Sequence, residues 1–134
     1  MPNLAPSRIV FLAFAVLLAS GCGQHPRIDV SVGIEDGQVV FNVPFGGING
    51  LLDFAVSEGN KTDWAVSLPY EKGHRIVYGV IPTGGNTVAR QTLPPVGEPV
   101  PDIRGKTITV RVAHQYDNGF APCVGHLEKV AAVP

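Results

Sequence analysis

From Lys106 to Gln115 the chain reads KTITVRVAHQ, with Ile108, Val110 and Val112 separated by polar or cationic residues. Alternation with period two suits a strand with one buried face, because successive side chains point to opposite sides of the pleat. The same rhythm recurs from Ile28 onward. Ile28, Val30 and Val32 alternate with Asp29 and Ser31; Val39, Phe41 and Val43 with Val40 and Asn42; Leu52, Phe54 and Val56 with Leu51, Asp53 and Ala55. Trp64, Val66 and Leu68 share one face of a strand over Thr62–Leu68, and Arg75–Ile81 is dense in β-branched residues. No segment after Ile28 has a 3.6-residue period, so the sequence excludes a helical domain.

Turn signals divide these runs. Glu35-Asp36-Gly37 separates the first two strands, and Glu58-Gly59-Asn60-Lys61 makes Leu51–Ser57 and Thr62–Leu68 a hairpin. Thr87–Leu93 is polar enough to be an edge strand. Pro94–Gly105 contains four prolines, too many fixed φ angles and missing donors for a sheet interior. Tyr116–Gly125 reads as a loop and His126–Val133 as a last strand. Sixteen glycines, twelve prolines and only 16% charged residues fit a turn-rich β protein. The expected architecture is an all-β antiparallel sandwich of seven or eight strands, preceded by a helical signal peptide.

The first 22 residues obey different rules. Met1–Arg8 is short and carries one positive charge, and Ile9–Ala19 is an unbroken apolar run of eleven residues. As a helix that run spans roughly 16 Å, about half of a bilayer's hydrocarbon core. Basic start, short apolar middle and small residues at the exit form the secretory signal pattern. The end of the run, Leu18-Ala19-Ser20-Gly21-Cys22, resembles the lipobox of bacterial lipoprotein precursors, although Ala19 stands where that family most often has leucine. The resemblance implies cleavage before Cys22 and a diacylglyceryl group on its sulfur. It divides the chain into a leader (1–21), a lipidated tether (22–27) and a β-sandwich domain (28–134). The location it implies is a cell membrane or outer membrane, with the domain exposed to the periplasm or the cell exterior. Gly23 replaces the aspartate that usually marks inner-membrane retention, which favours the outer membrane in a two-membrane cell. Two or three acyl chains make attachment effectively permanent, since each buried methylene contributes about 0.8 kcal/mol.

The mature part resembles immunoglobulin-like and fibronectin type III domains. The strand count, the inward Trp64 and the run Ile108–Ala113 followed by Tyr116-Asp117-Asn118-Gly119 carry that likeness. The immunoglobulin disulfide pattern is absent, which favours the fibronectin side.

The candidate chemistry is sparse. Beyond the leader, nine Lys and Arg face eleven Asp and Glu, and no basic patch supports nucleic-acid binding. Cys123 and His126 have a C-x-x-H spacing, and His114 ends the preceding strand; His74 or Asp117 could complete a thiolate–imidazole metal set. With Cys22 consumed by lipid, Cys123 is expected to be unpaired, which also makes it a candidate thiol nucleophile beside His114 or His126. If Cys22 carries no lipid, a Cys22–Cys123 bridge is the alternative. No nucleophile elbow, zinc-protease helix or phosphate loop occurs. Gly46-Gly47 and Gly84-Gly85 read as turns, and the sequon Asn60-Lys61-Thr62 as part of a hairpin turn. Phe45, Tyr70, Tyr78, Tyr116 and Phe120 are expected at strand ends or loops, with Tyr116–Gly125 the candidate recognition loop.

The expected function is therefore a non-catalytic binding or structural module of the cell envelope, with no cofactor beyond the lipid. Its partners would be membrane lipid and another envelope protein or surface ligand. An envelope metal-binding protein and a thiol-dependent enzyme are the alternatives.

Overall fold

A computed structural model of the chain describes residues 29–43, 50–71, 75–82, 89–117 and 121–134. Residues 1–21, expected to form a leader, and Cys22, Ile28, Phe45, His74, Phe120 and both glycine pairs lie outside them.

Eight strands follow one another: β1 (Ser31–Glu35), β2 (Gln38–Asn42), β3 (Gly50–Glu58), β4 (Lys61–Glu71), β5 (Arg75–Val77), β6 (Arg90–Leu93), β7 (Thr107–Asp117) and β8 (Pro122–Ala132). They form two antiparallel sheets, β1-β2-β5 and β6-β4-β3-β7-β8, as an all-β sandwich requires. Each sheet is built from hairpins. β1 and β2 meet across Asp36-Gly37, both at positive φ, which suits the right-handed twist of the flanking strands. β3 and β4 meet across Gly59-Asn60, with Glu58 opposite Lys61.

The period-two residues converge between the sheets. Val39, Phe41, Val43 and Ile76 from one side pack with Phe54, Val56, Trp64, Val66, Leu68, Ile108, Val110 and Val112 from the other. Their aromatic rings form a chain: Phe41 to Phe54 at 5.1 Å between centroids, Phe54 to Trp64 at 6.1 Å, Trp64 to Tyr78 at 5.6 Å. The tilted and edge-on angles suit aromatic quadrupoles. Trp64 is fully buried, and its indole N–H donates to Gln91 Oε1 at 3.0 Å. The Gln91 amide in turn donates to the carbonyl of Pro94 at 2.7 Å, tying the short edge strand β6 to the core. Ile103 and Val133 join the core, and the Gly105 N–H donates to the Val133 carbonyl at 3.1 Å while the Val133 N–H donates to the Lys106 carbonyl at 2.9 Å.

Several expectations need correction. β3 buries Leu51 rather than Leu52, because a register shift between Leu51 and Asp53 inserts a residue and reverses the alternation. β5 ends at Val77 instead of continuing to Ile81; Gly79 takes a positive φ and Tyr78 turns inward, its hydroxyl donating to the carbonyl of Pro101 at 2.7 Å. The largest correction concerns Tyr116–Gly125. β7 runs on to Asp117 and β8 begins at Pro122, so ten consecutive residues read as a loop are mostly two paired strands. Tyr116 is accordingly a core residue and not part of a recognition loop.

Candidate functional site

The β7–β8 hairpin holds His114, Cys123 and His126, and its pairing decides what they can do together. His114 lies opposite Gly125, Tyr116 opposite Cys123, and Ala113 opposite His126. His114 and Cys123 therefore share the inward face, where both are buried, while His126 is exposed on the outward face. The three residues do not converge. Three positions separate Cys123 from His126, and in a strand an odd separation sends two side chains to opposite sides. Among the described residues no three His, Cys, Asp or Glu side chains gather into a set that could hold a metal ion. Asp117 is exposed at the end of β7.

The environment of the two inward residues is close-packed. The His114 ring lies 5.9 Å from that of Tyr116 and directly over Gly125. A Cβ on residue 125 would stand 2.5 Å from His114 Cε1, so glycine is what lets the imidazole lie across β8. The expected free thiol is corrected: Cys123 is disulfide-bonded, and the one other cysteine of the chain is Cys22. A bridged sulfur is neither a thiolate ligand nor a nucleophile.

A second cluster was missed by sequence reasoning. Between Val56 and Ser57 a bulge places Asp63 as an extra residue of β4. Its carboxyl is fully buried, and neither oxygen meets a hydrogen-bond donor among the described residues. Lys61 Nζ stands 3.9 Å away, and Lys106 Nζ lies 3.3 Å from Glu58 Oε1. Burial pushes the Asp63 carboxyl up to about 6, helped by the neighbouring Glu58 carboxyl. Glu58 moves the other way, held down chiefly by its hydrogen bond with Asp63, with Lys106 adding to the effect. Both shifts follow from a buried Asp63 carboxyl lying beside that of Glu58. The signal available in the sequence was weak: Thr62-Asp63-Trp64 places an acid beside the largest core residue, but only a bulge aims it inward.

The third feature is the outward face of the large sheet. Asp53, Ala113 and His126 form one cross-strand row over β3, β7 and β8, and Ala55, Arg111 and Glu128 the next. Ala55 and Ala113 are short, whereas Arg111, Glu128, Asp53 and His126 stand taller. The result is a shallow hollow of about 290 Å³ with an alanine floor and a charged rim. The Arg111 guanidinium donates to Glu128 Oε2 at 3.1 Å across that rim. One guanidinium, two carboxylates and an imidazole over a small apolar floor can hydrogen-bond an extended polar chain and pack against its apolar groups.

The chain matches no family model, no curated protein and no solved structure at a significant level. The reading of its function therefore rests on its own residues.

Proposed function

We propose that this chain is the precursor of a bacterial lipoprotein whose β-sandwich serves as a binding or structural module in the cell envelope. The observation that carries the reading is the leader: an eleven-residue apolar run closed by Ala19-Ser20-Gly21-Cys22. The mature domain would hang from a thioether on Cys22, with the outward hollow at Asp53, Arg111, His126 and Glu128 available to an envelope protein or a surface ligand.

A fibronectin-like sandwich is the finer fold we propose. β1, β2 and β5 correspond to strands A, B and E, and β4-β3-β7-β8 to the C′-C-F-G order, with β6 added at the C′ edge. Domains of this architecture carry function on their faces and loops, so the likeness supports recognition without specifying a ligand.

One observation favours a second reading. Cys123 is disulfide-bonded, and a bridge to Cys22 would exclude a thioether on the same sulfur. In that form the exported domain is stapled at its N-terminus and not lipidated. Whichever reaction takes the Cys22 thiolate first, acyl-glyceryl transfer or oxidation, precludes the other. Mass spectrometry of the mature N-terminal peptide separates the two. A peptide heavier by a diacylglyceryl group supports the anchor, whereas one linked to the Cys123 peptide and lighter by two hydrogens establishes the bridge. Retention of a Cys22→Ala protein in washed membranes counts against the anchor as well.

A further inference from the structure

Two contacts on β8 constrain the chain that precedes β1. Cys123, near the start of the strand, is disulfide-bonded, and Cys22 is the one cysteine available to it. Towards the other end Lys129 Nζ meets Asp29 Oδ1 at 2.5 Å, and the same oxygen accepts the Val30 N–H at 2.9 Å. At Val30 the chain enters the core and goes on into β1, the edge strand of the small sheet that touches β8. Among the described residues the one strand paired with β8 is β7.

We propose that residues 23–28 of this chain dock along the outer edge of β8 as a short parallel strand when Cys22 is bonded to Cys123. This docking rests on the bridged form of the chain described above. The two anchors set its direction. From Cys22 to Asp29 and from Cys123 to Lys129 both segments advance the same way, so the pairing is parallel. They also set its length. The stretch of β8 from Cys123 to Lys129 covers roughly 20 Å. The chain from Cys22 to Asp29 reaches at most about 25 Å when extended, and about 10 Å as a helix. An extended segment laid beside the strand matches that span.

The facing of residues agrees. Cys123 is buried on the inward side of β8, a side it shares with Gly125, Leu127 and Lys129. In an extended segment Cys22, Gln24, Pro26 and Ile28 fall on the same side as Val30, which is also buried. Both ends of the strap therefore demand one parity. Bonding Cys22 to Cys123 sets Gln24 beside Gly125, Pro26 beside Leu127 and Ile28 beside Lys129. The local sequence suits the role. A residue before proline avoids the helical region, which keeps His25 extended. Pro26 lacks an N–H and is compatible with an edge strand only. It also breaks the row of donors that the new edge offers, which discourages a further strand from pairing.

Backbone NMR and hydrogen exchange of the exported protein test the docking, after peptide mass spectrometry has established how Cys22 is bonded. In the bridged protein the amides of Gln24, His25, Arg27 and Ile28, taken as a group, are expected to exchange at least about tenfold more slowly than unpaired chain. Backbone contacts should follow the parallel order, Gln24 near Gly125 and Ile28 near Lys129. Exchange of the whole group at unpaired rates in the bridged protein, or contacts in the reverse order, overturns the docking and leaves the bridge standing. A lipid on Cys22 with a free thiol at Cys123 overturns the bridge and the docking together.

Discussion

The two faces of the β7–β8 hairpin are made by the same backbone and live under opposite constraints. The inward face carries Val110, Val112, His114, Tyr116, Cys123 and Gly125, all buried. The outward face carries Arg111, Ala113, His126 and Glu128, with charged groups at 3.1 Å making an exposed ion pair. On the inward face shape decides everything: His114 has its place because residue 125 has no side chain. On the outward face nothing is sterically determined, and chemistry is free to serve recognition. A pattern such as C-x-x-H in a strand therefore joins two environments and forms no site.

The largest test of that contrast is Tyr116→Ala. Removing a buried ring should cost about 3–5 kcal/mol of unfolding free energy in denaturant titration, whereas His126→Ala should change it by less than about 0.5 kcal/mol. Equal effects would erase the distinction between the faces.

Gly125→Ala sharpens it further. The new methyl group collides with a buried imidazole and should cost about 1–3 kcal/mol. Most of that loss should return in a Gly125→Ala/His114→Ala double mutant compared with His114→Ala alone, since the two residues are in contact. Additive costs would place the strain elsewhere.

Asp63→Asn asks whether a buried polar group behaves as the inward face requires. The Asp63 carboxyl titrates at about 6 in the folded protein against 3.8 for an ordinary aspartate. A raised pKa means that the protonated form favours folding: the support is complete below pH 3.8 and is lost as pH rises through about 6. The amide keeps the donor at every pH, so the variant should be more stable than wild type at pH 8 by about 1–3 kcal/mol, with the gap closing towards pH 4. Glu58 works in the opposite sense, and comparing the two proteins at each pH isolates Asp63. A wild type that gains on the variant with rising pH would refute the raised Asp63 pKa.

The smallest effect belongs to the outward face. Arg111→Ala removes an exposed pair with Glu128 and should alter stability by less than about 1 kcal/mol. The same change should alter any binding that uses the hollow, which is read by ligand titration and not by melting.

Much of the fold was legible because hydrophobic periodicity reports burial directly. Ile108, Val110 and Val112, the inward Trp64, the β3–β4 hairpin and the proline-rich gap before β7 all stand where alternation and turn chemistry place them. Tyr116–Gly125 was misread because Asp117-Asn118-Gly119 is a strong turn signal, and the flanking Gln115, Tyr116, Cys123 and Gly125 lack the β-branched density that marks a strand. Pairing with a partner strand overrode local preference there. Asp63 and Leu51 were illegible for another reason. Bulges reverse the facing of residues, and they arise from how two strands fit together.

By itself, then, the sequence determined the class of fold and most of the core, since both follow from where apolar residues stand along one chain. Which side chains meet was left to the tertiary structure. Register, bulges and the approach of His114 to Gly125 depend on two strands at once, and contact between distant residues has no local signature.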